Sequence, residues 1–376
     1  MTLPDATPLL AGLLVFAASA LSLKFGLSVA VFEILLGLTA GGLGLEPAGW
    51  MNYLAAFGGI LLTFLAGAEV DAKLLKDNFR QAAAIGLLSF LAPFAAGALF
   101  CRYAAGWSLQ ASLLAGIALS ETSLAVVYSV VTETGLGRKK TGKLLMACTF
   151  LTNTLTALAL SAAFLKVTAA ALLLLAAAGA FLLFAGRFSG WLMSRRALAG
   201  KVIEPEIKYV FLVLLFFIYL AELGAGQAML PAFLFGLALA PQLAGAQAAV
   251  KSRLRTVAYA FVTPFFFITA GMQVYPPALL GAAGLFIALF LVKQLAKFSG
   301  VYFLAARYFP EDRWSFTLLM STGLTFGLMA AVYGSKEGIL DGTQYSVLTG
   351  VLIASAVLPA FAAQRWFLPK EEEDLL

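Results

Sequence analysis

The chain has 376 residues, 62% of them hydrophobic and 12% charged, with a formal net charge of +6 and no histidine. A soluble domain carries about 45–50% apolar and about 25% charged residues, so a soluble enzyme and a nucleic-acid-binding protein are both excluded. The lack of histidine removes the commonest metal ligand and the usual proton shuttle at neutral pH, and Cys101 and Cys148 lie in apolar stretches that suit neither a disulfide framework nor a thiolate site, so no cofactor or resident metal is expected.

A spanning helix needs about 20 mostly apolar residues. Thirteen segments qualify, at roughly 8–23, 27–45, 52–69, 82–104, 109–131, 143–165, 167–186, 208–225, 228–243, 257–274, 278–304, 314–334 and 345–364. The chain therefore reads as an all-α integral membrane protein, a single transmembrane domain over residues 1–376. The first segment is followed by Lys24 and preceded by no basic residue, so it reads as a span and not as a cleavable signal peptide. The second carries Glu33, and its Gly37 and Gly41 form a small-xxx-small pair suited to close helix packing. The third ends at Glu69, and the fifth is interrupted by Ser120-Glu121-Thr122-Ser123. Thr152 and Asn153 mark the middle of the sixth. The stretch 187–208 is the longest loop and the expected joint between halves. Lys293 and Lys297 lie four apart on one face of the eleventh segment. The twelfth contains Ser321-Thr322-Gly323-Leu324-Thr325-Phe326-Gly327, and residues 370–376 form a charged tail.

Loop charge orients the spans, because cytoplasmic loops carry the excess of Lys and Arg. With the N-terminus outside, the cytoplasmic loops and tail hold 20 of the 25 basic residues. Arg102, Lys166 and Lys336 fall on the other side, and Lys293 and Lys297 lie within a span. The expected placement is a multi-pass protein of the cell (inner) membrane, N-terminus outside and C-terminus cytoplasmic.

The chain also repeats itself weakly. Ala66-Gly67-Ala68-Glu69-Val70 matches Ala270-Gly271-Met272-Gln273-Val274, Ala125-Val126-Val127-Tyr128 matches Ala330-Ala331-Val332-Tyr333, and the Phe32–Gly37 stretch matches Phe233–Gly236, at offsets of 199 to 205. Repeat one is expected over 7–165, a connector helix over 167–186 and repeat two over 206–366. Six spans plus a connector make an odd number, so the second repeat enters the membrane inverted, an arrangement common in secondary transporters.

An ionisable group at the bilayer centre costs about 2.5–3.5 kcal/mol or more, which marks it as a functional candidate. Glu121, Lys293 and Lys297 are the candidates at that depth, with Thr152 and Asn153 beside them as oxygen donors. Ser120, Thr122 and Ser123 in one segment and Thr322 and Thr325 in the other suit broken helices, whose freed carbonyls and half-helix ends hold ions. Glu33 and Glu69 lie nearer the surfaces, where they could line a cytoplasmic funnel or serve structure.

Five stretches in order carry a family resemblance: Phe64-Leu65-Ala66-Gly67-Ala68-Glu69-Val70-Asp71, Thr122-Ser123-Leu124-Ala125-Val126-Val127-Tyr128, Pro264-Phe265-Phe266-Phe267 with Gly271-Met272, Lys297 three before Gly300, and Leu319 through Gly327. On these the chain resembles monovalent cation:proton antiporters of the Kef/Nap-like branch over essentially its whole length. The resemblance implies two inverted six-helix repeats with crossed broken helices. It also implies a homodimer whose protomers each have a core domain, moving like an elevator, and a dimerisation domain. Na+ or K+ and H+ are the implied partners, with the lipid bilayer, and no nucleic acid. Lys297 matches the family's essential lysine. The ion-binding aspartate of the sixth helix is replaced by Asn153, a small hydroxyl residue of the fifth by Glu121, and a glycine of the second by Phe32. The chain ends at Leu376, so the cytoplasmic nucleotide-binding domain of some Kef-type relatives is expected to be absent.

These departures predict a relocated carboxylate. Glu121 would carry the exchangeable charge, protonated or paired with Lys297 or Lys293 in one state. In the other it would hold a Na+ or K+ ion with Thr152, Asn153 and freed carbonyls. A channel-like K+ efflux protein and a non-transporting homologue acting as a sensor are the competing expectations, and a symporter for an organic anion is a further one.

Overall fold

The computed structural model describes residues 6–26, 28–69, 79–133, 136, 139–163, 176, 179, 204–224, 228–244 and 248–367, and the regular structure among them is helical. In chain order the helices are α1 (Thr7–Phe25), α2 (Val29–Gly42), α3 (Gly49–Ala68), α4 (Phe79–Leu99, continued by a π turn over Phe100–Ala104), α5 (Leu109–Ser120), α6 (Leu124–Glu133) and α7 (Lys140–Ala163). They continue with α8 (Pro205–Gly224), α9 (Met229–Ala244), α10 (Ala248–Val257), a π turn (Ala258–Val262), α11 (Thr263–Met272) and α12 (Pro276–Gly281). The last are α13 (Ala283–Tyr308), α14 (Arg313–Met320), α15 (Thr325–Lys336) and α16 (Gly342–Trp366).

Twelve of the thirteen expected segments coincide with these helices, and the seventh, 167–186, lies outside the described residues apart from two positions. Eight are long and apolar enough to cross a membrane when α10–α11 and α14–α15 are each counted as one, and α2, α5 and α9 are shorter apolar helices. The fifth and twelfth expected segments are each split in two, at 121–123 and at 321–324.

Burial is arranged for lipid. On α13, Leu295 and Phe303 are 68% and 73% exposed while Lys293 and Lys297 are fully buried. A helix in water would turn those faces the other way. In hydrocarbon the apolar side chains face out and the charges must find partners inside. The chain is a multi-pass integral membrane protein.

The chain forms two compact units, one of residues 1–46, 73–160 and 270–376 and the other of 47–72 and 161–269. In the second unit, Leu61 and Phe64 of α3 join Leu214 and Phe217 of α8 and Phe235 and Leu239 of α9 in one buried cluster, with the Phe64 and Phe235 rings 5.3 Å apart. In the first, Ile85 of α4, Leu144 and Leu145 of α7, Val301 of α13 and Phe316, Leu319 and Met320 of α14 make the corresponding core. Every broken-helix residue belongs to this first unit.

Several glycines let backbones touch, and two of them, Gly67 and Gly271, do so in matching ways. A Cβ on Gly67 of α3 would strike the Phe233 carbonyl oxygen and come within 2.9 Å of the Leu237 nitrogen on α9. A Cβ on Gly271 of α11 would strike the Ile34 carbonyl oxygen and come within 2.9 Å of the Leu38 nitrogen on α2. The same pair of atoms, four residues apart, is met in each unit, by glycines whose flanking sequences match. Gly41 of the small-xxx-small pair likewise abuts the Met272 carbonyl, so its role is packing. Overpacking a tight contact costs about 1–3 kcal/mol. Gly67→Ala and Gly271→Ala are therefore expected to lower the melting temperature followed by tryptophan fluorescence in detergent. Gly12→Ala, at a site with nothing within 4 Å of the added Cβ, is expected to leave it unchanged.

Candidate functional site: the crossing of two helix breaks

Helix α5 stops at Ser120 because the next residue leaves helical geometry, Glu121 having φ −62° and ψ 156°. Opposite it, α15 begins after Leu324, at φ −150° and ψ −61°. The two breaks are tied to each other by backbone and side-chain hydrogen bonds. The Ser123 amide donates to the Thr322 carbonyl oxygen at 3.3 Å, and the Thr122 hydroxyl donates to the Met320 carbonyl oxygen at 3.0 Å.

A break at the bilayer centre exposes half-helix ends whose unpaired N–H and C=O groups have no water to turn to. Buried charges answer each end. The Glu121 carboxylate accepts from the Leu324 amide at 2.8 Å (Oε1) and from the Gly327 amide at 3.0 Å (Oε2), capping the positive N-terminal end of α15. The Lys297 ammonium donates to the Ser120 carbonyl oxygen at 2.7 Å, at the negative C-terminal end of α5. It also donates to the Thr122 Oγ1 at 3.0 Å and to the Ser89 Oγ of α4 at 2.9 Å. Hydrogen bonds to charged groups are worth about 1.5–3 kcal/mol each, enough together to offset the several kcal/mol that burying such an ion costs.

Lys293, one turn earlier on α13, donates to Ser355 Oγ of α16. Ser355 in turn lies 2.9 Å from both the Gly323 and the Leu352 carbonyl oxygens. Gly323 is needed where it stands, since a Cβ there would lie 2.6 Å from the Lys293 nitrogen and 3.0 Å from the Glu121 carbonyl oxygen. Neither lysine forms an ion pair with Glu121 among the described residues; both of its carboxylate oxygens go to backbone amides instead.

Asn153 and Thr152 are buried on α7, and the Asn153 Oδ1 atom has no hydrogen-bond partner among the described residues. Thr152 donates to the Thr149 carbonyl oxygen at 2.9 Å, which leaves lone pairs on its hydroxyl. Ser120 and Thr322 bond back to their own helices, at Gly116 and Leu319, and the Thr325 hydroxyl makes no hydrogen bond among the described residues. The two outlying acids fall in different units. Glu33 is buried on α2 with no polar partner among the described residues, and Glu69 caps α3 with an ion pair to Arg255 at 3.4 Å. Ser89 and Ser355 are the site residues that sequence reasoning missed. A lone serine in an apolar helix normally bonds to its own backbone, so nothing local singles these two out.

The sodium/hydrogen exchanger transmembrane family matches residues 10–365. The chain belongs to that family. It is 26% identical over 376 aligned residues to the probable Na(+)/H(+) antiporter 3 of Methanocaldococcus jannaschii, covering 95% of each chain. It is 25% identical to the Na(+)/H(+) antiporter of Enterococcus hirae, covering 90% of this chain and 92% of that one, and 25% identical to the Na(+)/H(+)-K(+) antiporter GerN of Bacillus cereus, covering 91% and 90%. Among solved structures, the sodium proton antiporter MjNhaP1 of Methanocaldococcus jannaschii at pH 8 shares the fold, with a TM-score of 0.71 at 16% identity over 96% of this chain and 98% of that one. The members of this exchanger family that the chain resembles are antiporters, not enzymes.

The site's hydrogen bonds predict unequal costs of mutation. Lys297→Met strands three acceptors and Lys293→Met strands one. A buried unsatisfied polar group costs about 1–3 kcal/mol, so the melting temperature is expected to fall further for Lys297→Met. Glu121→Gln is expected to destabilise as well, because an amide offers one oxygen to two amide donors and turns its NH2 group on the other.

Proposed function

We propose that the chain exchanges a monovalent cation, Na+ or K+, for H+ across the membrane, and that the crossing of the two helix breaks is where the cation is held. The observation that carries this reading is a buried cluster of one carboxylate and two ammonium groups at two facing helix breaks, in a chain of an exchanger family. Monovalent hard cations take oxygen ligands. Each Glu121 oxygen keeps a lone pair beyond its amide bond, and the Asn153 carbonyl oxygen and the Thr152 hydroxyl add two neutral donors. Glu121 supplies the negative charge that an aspartate at the Asn153 position supplies in relatives of the Kef/Nap-like type. One cation entering the buried cluster is balanced by the loss of one proton from it, so one proton moves per cation and the exchange is electroneutral.

The reading extends to the whole chain. Two inverted repeats, 7–165 and 206–366, are joined by a connector at 167–186; the matching contacts of Gly67 and Gly271 support this symmetry. The unit that holds the broken helices is the moving core of an elevator, and the other is the scaffold of a homodimer. The chain sits in the cell membrane with its N-terminus outside, as its loop charges ask. A K+ channel, a silent sensor and an organic-anion symporter are less favoured, because relatives named as antiporters align over nearly the full length.

The test is cation-driven pH change in proteoliposomes. Wild type is expected to acidify or alkalinise the lumen as an Na+ or K+ gradient is imposed, and Glu121→Gln to retain less than about a tenth of that rate. Full activity in Glu121→Gln would reject the carboxylate's role. An inert wild type rescued by Asn153→Asp would instead make the chain a non-transporting relative.

A further inference from the structure

We propose that Lys293 is the residue that gives up its proton when the cation enters, while Lys297 and Glu121 remain charged as fixed anchors of the two breaks. The proposal rests on the exchange reading above and goes beyond it by naming the proton carrier, a residue one turn away from the lysine at the family position.

The argument is one of hydrogen-bond valence. An ammonium group has three N–H donors and no acceptor. Lys297 uses all three, on Ser89 Oγ, the Ser120 carbonyl oxygen and Thr122 Oγ1. The Ser120 carbonyl only accepts. The Thr122 hydroxyl has given its one proton to the Met320 carbonyl, so towards Lys297 it only accepts too. A neutral amine would keep its bonds to the two oxygens that only accept and take the third from the Ser89 hydroxyl, turned round to donate, so deprotonation reverses one bond and weakens the other two from charge-assisted to neutral. Loss of a proton from Lys297 would also take the positive charge from the C-terminal end of α5. Lys293 donates to one acceptor among the described residues, Ser355 Oγ. A neutral amine still makes that bond with a proton to spare, so deprotonation breaks nothing at Lys293.

Charge requires that one of the two lysines give up a proton, and the hydrogen bonds assign that role to Lys293. Glu121, at the break between α5 and α6, acts electrostatically on Lys293, and Lys293 and Lys297 repel each other one turn apart on α13. Among the described residues, the groups facing the Lys293 ammonium are neutral, Ser355 from α16 and the Gly323 backbone from the break before α15; the charged residues of the helices packed on α13 lie at helix ends, among them Arg102 beyond α4 tied to the Trp107 carbonyl at 3.0 Å, Arg313 at the start of α14 and Arg365 in the last turn of α16. With both lysines protonated the cluster carries one net positive charge, and an entering cation would raise it to two in a region without water. If the Lys293 ammonium passes one H+ to water on the open side as one cation enters, the net charge stays as it was. Return of H+ to the amine expels the cation. The ratio is one to one, with no charge moved.

Cation binding to the purified full-length protein, followed by Na+- or K+-induced thermal stabilisation, tests this across the neutral pH range. Release of one proton per cation makes the apparent Kd fall about tenfold per pH unit in wild type. In Lys293→Gln, whose amide can still donate to Ser355, the dependence is expected to vanish. Na+-driven proton movement in proteoliposomes should drop at least about tenfold, while self-exchange of radioactive Na+ persists. In Lys293→Arg the charge cannot leave, so both flux and binding should be lost. A Lys293→Gln protein that keeps the tenfold slope, or a slope abolished by Lys297→Gln alone, would overturn the assignment to Lys293 and leave the exchange reading intact. A wild type with neither cation-dependent stabilisation nor flux would overturn both.

Discussion

The carboxylate of Glu121, accepting from the amides of Leu324 and Gly327 some 200 residues away in sequence, is the interaction on which the rest of the core unit depends. Two helices that stop inside a bilayer present backbone groups that lipid cannot solvate. A charge of the right sign at each end removes the problem, and the low dielectric that makes an unpaired charge costly also strengthens it once paired. Glu121 does this at α15 and Lys297 does it at α5. Once these two anchors are set, the positions of Thr122, Ser123 and Gly323 follow, because each must reach across to the other break or leave room for it.

The same geometry redistributes the roles expected of the three charges. A carboxylate that pairs with a lysine and then exchanges it for a cation would have to leave its partner at each cycle. Here its partners are backbone amides, which cannot leave while α15 stays folded. On the exchange proposed above, Glu121 therefore stays an anion, with a spare lone pair on each oxygen left for the cation. The two lysines differ for a parallel reason. Four residues apart on one face, they look interchangeable in sequence, yet one has a full set of acceptors and the other has one. On the proposed exchange, the proton leaves the group with the fewest bonds to lose.

Close approach is what makes such a core possible in lipid, where association of helices relies on packing and buried polar contacts. Gly67 and Gly271 bring backbone against backbone in the two units, and Gly323 leaves the space into which the Lys293 ammonium and the Glu121 carbonyl converge. A methyl group at any of these positions would have to displace main chain or a buried charge.

Sequence alone determined the class, the apolar segments and both helix breaks, because hydrocarbon imposes a length and a composition on every span and penalises each polar interruption. It also singled out Glu121, Lys293, Lys297 and Asn153 as the polar groups at depth, since charge there is rare enough to stand out. The stretches around Gly67 and Gly271 match in sequence, and each glycine meets the same pair of backbone atoms. What the tertiary structure decided is which charge meets which group. Glu121 could be assigned to a lysine by depth and sign, but its actual partners are backbone amides, which every residue carries and which no sequence pattern marks. Ser89 and Ser355 entered the site only through the packing of α4 and α16 against α13. Periodicity reports the depth and face of a side chain; the acceptor opposite it is set by how distant helices cross.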